Sequence, residues 1–196
     1  MKKALLIVAV AFASLTASAQ TEQGKILVGG TVNFNSSKSD ADDAEATNSL
    51  TIQPVIGYFV AENIAVGTGI GYQYTKLPSD AKSDAIVVSP FGRYYKSISD
   101  QFKFFGQLSV PMAFGTNKNS DGDKLSSSTS IGVALSPGFA FFPAKKFGIE
   151  FAFRGISYNK VTVEDADGNE VEGAGSSTFN IGANFFNPQI GFVFHF

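Results

Sequence analysis

The sequence predicts an all-β fold, an eight-stranded antiparallel up-and-down transmembrane β-barrel. Three observations predict it: bulky apolar side chains alternate with small or polar ones, a proline–aromatic repeat recurs along the chain, and long connections alternate with short ones. Of the 196 residues, 44% are hydrophobic and only 16% are charged, with 20 Phe and 20 Gly. This composition fits alternating strands better than buried helices.

The composition also excludes several kinds of site. The chain has no Cys and one His, so it cannot build a disulfide framework, a thiolate metal site, an iron–sulfur cluster or a histidine cluster. Its 15 Lys and Arg stand against 17 Asp and Glu, which leaves no basic face. We therefore expect no nucleic-acid partner.

Residues 1–19 read as a secretory signal peptide. Lys2 and Lys3 form a positive start, the stretch from Ala4 to Leu15 is mostly apolar and too short to span a bilayer, and Ala17-Ser18-Ala19 is a small-residue cleavage motif. We expect cleavage near Ala19 and assign residues 20–196 to one barrel domain. No later stretch is long and apolar enough for a membrane helix, so a mature chain in a membrane would have to be a closed barrel.

Four strands show the alternation directly. In each, one face is bulky and apolar, while the other carries Gly, Ala, Ser or Gln with isolated charges; the strands are Lys25 to Asn35, Ile64 to Lys76, Phe102 to Gly115 and Phe147 to Tyr158. A soluble sandwich would carry many Lys and Glu on the second face. The pattern instead predicts a lipid-facing bulky face and a narrow lumen packed with small side chains.

Four further strands share a repeat in which a polar residue precedes Pro and an aromatic residue follows four positions later. The repeats are Gln53-Pro54 with Tyr58, Ser89-Pro90 with Tyr94, Ser136-Pro137 with Phe141, and Asn187-Pro188 with Phe192. They predict strands that run in one direction with an aromatic residue near one rim. We hypothesise that the preceding polar residue replaces the hydrogen bond that proline removes. In the last strand the bulky residues change parity, which predicts a β-bulge near Phe185 and Phe186.

The connections predict the orientation. Long polar segments run from Ser36 to Asn48, Leu77 to Asp84, Thr116 to Ser127 and Asn159 to Ser177, while the three other connections are short. The long segments hold five Lys against thirteen Asp and Glu, a balance of −8. Long loops on one rim and tight turns on the other are typical of outer-membrane barrels, with the turns in the periplasm. The outer pole should be acidic.

These features together resemble a known family. The cleavage motif before Gln20, the eight alternating strands, the pieces Gly57-Tyr58-Phe59 and Glu62-Asn63-Ile64-Ala65-Val66-Gly67, and the end Ile190-Gly191-Phe192-Val193-Phe194-His195-Phe196 are similar to small outer-membrane barrels of the OmpX/OmpA-like superfamily. The resemblance implies a monomer in the outer-membrane lipid of a Gram-negative cell. It also implies that Phe192, Phe194 and Phe196 form the signal read by the barrel-assembly machinery.

We predict no catalytic residue. Small barrels that modify lipid A need a hydroxyl, a general base and an orienting acid within reach of one another. His195, the only imidazole, is expected at the periplasmic rim, where a structural role is favoured. Four lumen charges are interpreted as a structural ion cluster in which Glu150 pairs with at least one cation; its members are Arg93, Lys103, Glu150 and Arg154.

No metal or cofactor site is predicted either. The run from Asp165 to Glu170 has some calcium-loop character, but Val163 and Ala174 occupy the first and last ligand positions, so a hairpin turn is favoured. Gly67, Gly69 and Gly71 follow a strand period and are interpreted as small lumen residues, not as a nucleotide loop.

The functional prediction is therefore a small integral outer-membrane protein that is not an enzyme and acts in the cell envelope through acidic surface loops. Two alternatives stay open. One is a narrow, porin-like channel for small or apolar solutes, and the other is a secreted, soluble, lipocalin-like binding protein. The residues do not identify an external ligand.

Overall fold

A computed structural model describes residues 21–38, 46–182 and 189–196. Within these ranges, eleven strands form one sheet: β1 Ile26–Lys38, β2 Ala46–Ala61, β3 Ile64–Lys76, β4 Lys82–Ser97, β5 Phe102–Ser109, β6 Met112–Lys118, β7 Lys124–Ala144, β8 Phe147–Ala152, β9 Ile156–Asp165, β10 Ser176–Ile181 and β11 Gln189–His195. The signal peptide and the predicted bulge at Phe185 and Phe186 lie outside the described ranges.

The eleven strands occupy eight positions around a closed barrel, because some positions are shared by two consecutive strands. β5 and β6 share the position between β4 and β7, and β8 and β9 share the next position on the other side of β7. β10 and β11 share the last position, since they pair with β9 and β8. Every neighbouring pair is antiparallel, and β11 closes the barrel on β1 through pairs such as Leu27 with His195. The predicted all-β, eight-stranded antiparallel barrel is confirmed.

The two ends of the barrel differ. At the turn end, β2 and β3, β4 and β5, and β7 and β8 are joined by short connections, and the chain ends there at Phe196. At the loop end, the strands continue farther than the sequence predicts: β4 begins at Lys82, and the connection between β6 and β7 spans only residues 119–123. Polar residues on both faces hide the alternation there, because strand ends beyond the bilayer have no lipid-facing side.

The predicted bulky face points outward. Val32, Ile70, Leu108 and Phe192 are exposed, whereas their strand neighbours on the other face include the buried Gly71 and Ser109. The outward prolines Pro54 and Pro90 are exposed as well. A lipid-facing surface of this kind follows from the alternation.

The hydrogen-bond hypothesis for the proline repeat is wrong within the described residues. Gln53, Ser89 and Ser136, the residues that precede the prolines, donate no side-chain hydrogen bond to a strand backbone there. The proline carbonyls still take part in the sheet, since Pro90 accepts from the N–H of Val110 at 3.0 Å.

The sequence analysis did not predict the β-bulge between β8 and β9. Ala152 lies opposite Gly138 and Ile156 lies opposite Leu135, so the three residues between β8 and β9 face only two residues of β7. The extra residue shifts the inward–outward alternation by one position. The outward bulky residues therefore have odd numbers up to Phe151 and even numbers from Ile156. The bulky residues change parity in the sequence as well, from Phe153 to Ile156, so the signal was present but the sequence analysis did not use it.

Candidate functional site: the barrel lumen

Large side chains fill the lumen at the turn end. The largest fully buried side chains, which we call the turn-end plug, are Leu27, Phe59, Tyr95, Phe105, Phe142 and Val193. All are at most 1% exposed. The expectation of small lumen side chains is therefore wrong at this end, where aromatic rings occupy the cross-section of the barrel.

Aromatic doublets are the sequence signal for the plug. The proline repeats end in Tyr58-Phe59, Tyr94-Tyr95 and Phe141-Phe142. Successive strand residues point to opposite faces, so the first ring of each doublet meets lipid and the second enters the lumen. Tyr58 and Tyr94 are about half exposed (49% and 55%), whereas Phe59 and Tyr95 are fully buried.

Inward glycines provide the space that these rings need. A Cβ atom on Gly148 would lie 2.8 Å from Cε1 of Phe142, and one on Gly67 would lie 2.7 Å from Cζ of Phe91. Both distances are shorter than a van der Waals contact. The small residues that the sequence marks as lumen-facing thus make room for aromatic rings from other strands.

The chain near the predicted cleavage site covers the turn end. Thr21 is 2% exposed, and its hydroxyl donates to Oδ1 of Asn63 at 2.6 Å. The backbone N–H of Gly24 donates to the carbonyl of Phe59 at 2.9 Å. Residues that precede β1 therefore pack under the plug.

A polar network lies directly above the plug. Arg93 donates from Nη1 to Oε1 of Glu150 at 2.6 Å and to the hydroxyl of Tyr95 at 2.7 Å. Its Nε and Nη2 both donate to Oε1 of Gln107, at 2.9 and 2.7 Å. The guanidinium also stacks 4.5 Å from the ring centroid of Phe105. Charge pairing and hydrogen bonding together compensate for the burial of the cation.

The other two predicted cluster members lie apart from this pair. Lys103 is buried, but its Nζ donates to the hydroxyl of Ser97 at 2.8 Å. Arg154 is exposed and forms no ion pair or hydrogen bond with any described residue, so its assignment to the cluster is corrected. Arg154 lies in the unpredicted bulge, where the inward and outward series change parity.

His195 belongs to the plug region and not to an open rim. It is 2% exposed, and its ring centroid lies 5.2 Å from those of Phe59 and Phe142. Packing among aromatic rings is the role that the geometry gives to this side chain.

The predicted assembly-signal residues lie on the outward face of the closing strand. Phe192 stacks on Phe147 with a centroid distance of 6.0 Å, and Phe194 lies 5.2 Å from the same ring. Phe196 is 54% exposed, and its backbone exchanges hydrogen bonds of 2.9 and 3.0 Å with Ile26. The last residue thus extends the closure of the barrel.

The acidic run after β9 forms a turn. The carboxylate of Asp165 accepts hydrogen bonds from the backbone N–H groups of Asp167 and Asn169, at 3.0 and 2.8 Å. These bonds, led by that from Asn169, hold the pKa of Asp165 below its ordinary value of 3.8. Among the described residues, no group of acidic or imidazole side chains could hold a metal ion.

Comparisons with known proteins agree with the architecture. The family model described as outer membrane protein beta-barrel domain matches residues 5–185. No curated protein matches the chain. Within the described residues, no helix is long and apolar enough to cross a membrane.

Two solved structures are similar to this chain. Neisserial surface protein A is 14% identical with a TM-score of 0.47, and the match covers 88% of this chain and 97% of that chain. The outer membrane protein OprG from Pseudomonas aeruginosa is 18% identical with a TM-score of 0.49, and the match covers 91% of this chain and 99% of that chain. On the family match, which spans most of its length, the chain belongs to the outer membrane protein β-barrel domain family.

Proposed function

We propose that this protein is a monomeric, non-conducting and non-enzymatic barrel that acts in the outer membrane through its acidic surface loops. The turn-end plug is the observation that carries the proposal. Six large side chains with at most 1% exposure occupy the lumen, and the Arg93–Glu150 pair lies on top of them. A solute would have to displace close-packed rings to pass.

Planar-bilayer recordings test the closed lumen. The purified full chain should give no steady conductance steps. A variant with Phe59→Ala and Phe142→Ala removes two plug rings and serves as the positive control, because it opens space where the parent is packed. Steady steps from the parent protein would support the narrow-channel alternative instead.

The loop end supports a role at the cell surface. Asp121, Asp123, Glu170 and Glu172 are exposed there. Their charge favours a cationic partner, and attraction of this kind weakens as salt rises. Binding of a lysine-rich peptide to the parent barrel, compared with Asp121→Asn/Asp123→Asn, should fall with salt and with neutralisation. Equal binding by both proteins at all salt concentrations would contradict the loop role.

Export and location have their own test. Sequencing of the mature protein should begin at Gln20, and the protein should fractionate with outer membranes. Recovery in the soluble fraction would favour the lipocalin-like alternative.

A further inference from the structure

Four lysines form a row across neighbouring strands at the loop end. In the sheet, Lys76 pairs with Lys82, and Lys118 pairs both with Lys82 and with Lys124, so the row crosses β3, β4, β6 and β7. We call these four residues the lysine row. Like charges directly opposite each other destabilise a sheet. The stability of the barrel therefore does not account for the row.

The lysine row continues the outward face just beyond the apolar belt. Side chains four positions apart in a strand share a face. Three of the lysines lie four positions from an exposed, lipid-facing residue; these pairs are Lys76 with Tyr72 (45% exposed), Lys82 with Ile86 (56%) and Lys118 with Phe114 (53%). Four residues of a strand span about 13 Å. The row therefore lies at the level of the lipid headgroups, where the apolar belt ends.

Two carboxylates neutralise half of the lysine row. Asp80 pairs with Lys76 at 2.5 Å, and Asp84 pairs with Lys118 at 3.2 Å. The hydrogen bond from Lys76 and the charge of this lysine hold the pKa of Asp80 below its ordinary value of 3.8, with a smaller contribution from Lys82. Two of the four lysines are left without a salt bridge to a described residue.

Lys82 and Lys124 are these two lysines, and both are exposed. Nζ of Lys124 donates to the uncharged carbonyl of Ala166 at 3.4 Å. Two further acids, Asp121 and Asp123, lie in the connection beyond β6 and β7, farther from the apolar belt. A phosphate at the membrane surface therefore reaches the two lysines before it meets these acids.

A lipid with an anionic headgroup fits this surface. Its acyl chains would lie along the apolar belt while its phosphates meet the lysines, and the added negative charge would relieve the repulsion within the row. A soluble anion would gain only the charge interaction. We propose that the lysine row binds the phosphorylated headgroup of an anionic lipid in the outer leaflet of the membrane. This surface is separate from the lumen and from the acidic turns, so its test is independent of the proposed function.

Titration with three ligands tests the nature of the partner: diphosphoryl lipid A, monophosphoryl lipid A and inorganic phosphate. Binding to the full-length barrel in an uncharged detergent is measured by NMR on the amide signals of Lys82 and Lys124. Diphosphoryl lipid A should bind most tightly, and its affinity should fall as salt rises. The proposal would be overturned by equal affinity for the two lipids, by no shift with either, or by equally strong shifts with inorganic phosphate at the same concentration.

Matched double substitutions locate the binding. Lys82→Gln/Lys124→Gln removes the two lysines without a salt bridge and should weaken binding of diphosphoryl lipid A about tenfold or more. Lys96→Gln/Lys145→Gln removes the same charge from two exposed lysines of the turn end and should leave the affinity unchanged. Heat-modified gel mobility reports whether each variant is a folded barrel. Equal affinities of the two folded variants would refute the assignment to the lysine row.

Discussion

The Arg93–Glu150 pair allows the sharpest energetic prediction. Glu150→Gln keeps the shape of the side chain and one acceptor oxygen but removes its charge. The partners are only 8% and 12% exposed, and their nearest atoms are 2.6 Å apart. The substitution leaves a buried guanidinium without its counter-ion.

Removal of one partner of a buried ion pair costs about 3–5 kcal/mol. Arg93 keeps both bonds to Gln107 and its ring contact with Phe105, and the new amide oxygen can still accept. We therefore expect a loss near the lower limit, about 3 kcal/mol in the free energy of unfolding.

Urea unfolding of the refolded barrel in lipid vesicles measures this loss. Circular dichroism is the suitable signal, because the chain has no Trp. Asp84→Asn is the matched control: it breaks the Lys118–Asp84 pair, whose partners are 39% and 31% exposed at 3.2 Å. This control should cost at most about 1 kcal/mol. Equal losses for Glu150→Gln and Asp84→Asn would refute the reasoning about burial.

Three further predictions follow from local geometry. Gly148→Ala brings a Cβ within 2.9 Å of three plug atoms and should destabilise the barrel by about 1–3 kcal/mol in urea unfolding, whereas Gly106→Ala, with nothing within 4 Å, should be neutral. Because hydrogen bonding lowers the pKa of Asp165 below 3.8, the turn should be fully stabilised above that pH and lose this contribution only as pH falls through the lowered pKa; an NMR titration of Asn169 with a midpoint above 3.8 would contradict this. Deletion of Phe196 should lower the amount of protein in outer membranes far more than it lowers stability in detergent, and normal membrane levels would refute the targeting role.

The sequence predicts the outward surface well and the lumen only in part. The two-residue period places Leu108 and Phe192 on the lipid face, because every second residue of a strand has the same environment. Register along the whole strand is less secure. The bulge before Ile156 coincides with a change of parity in the bulky residues, from Phe153 to Ile156, so parity counted from Phe147 alone misplaces Arg154.

The contacts inside the lumen depend on the closure of the barrel. Arg93 and Glu150 are separated by 57 residues and meet only because β4 and β8 enclose the same interior. Their charges and inward parity are visible in the sequence, but the choice of Arg93 over Lys103 as partner is not. The plug was visible in principle, since each aromatic doublet must place one ring inside.

Thiol labelling on intact cells tests most directly whether the lumen is open at the loop end and closed at the turn end. The chain has no native Cys, so single cysteine variants report one position each. Gln73→Cys replaces an exposed residue that continues the inward series of β3, and Ala140→Cys replaces a residue with 0% exposure beside the plug. We predict that a membrane-impermeant maleimide labels Gln73→Cys from outside the cell and leaves Ala140→Cys unlabelled. Labelling of Ala140→Cys in the folded barrel, or labelling of Gln73→Cys only after the outer membrane is permeabilised, would contradict the account.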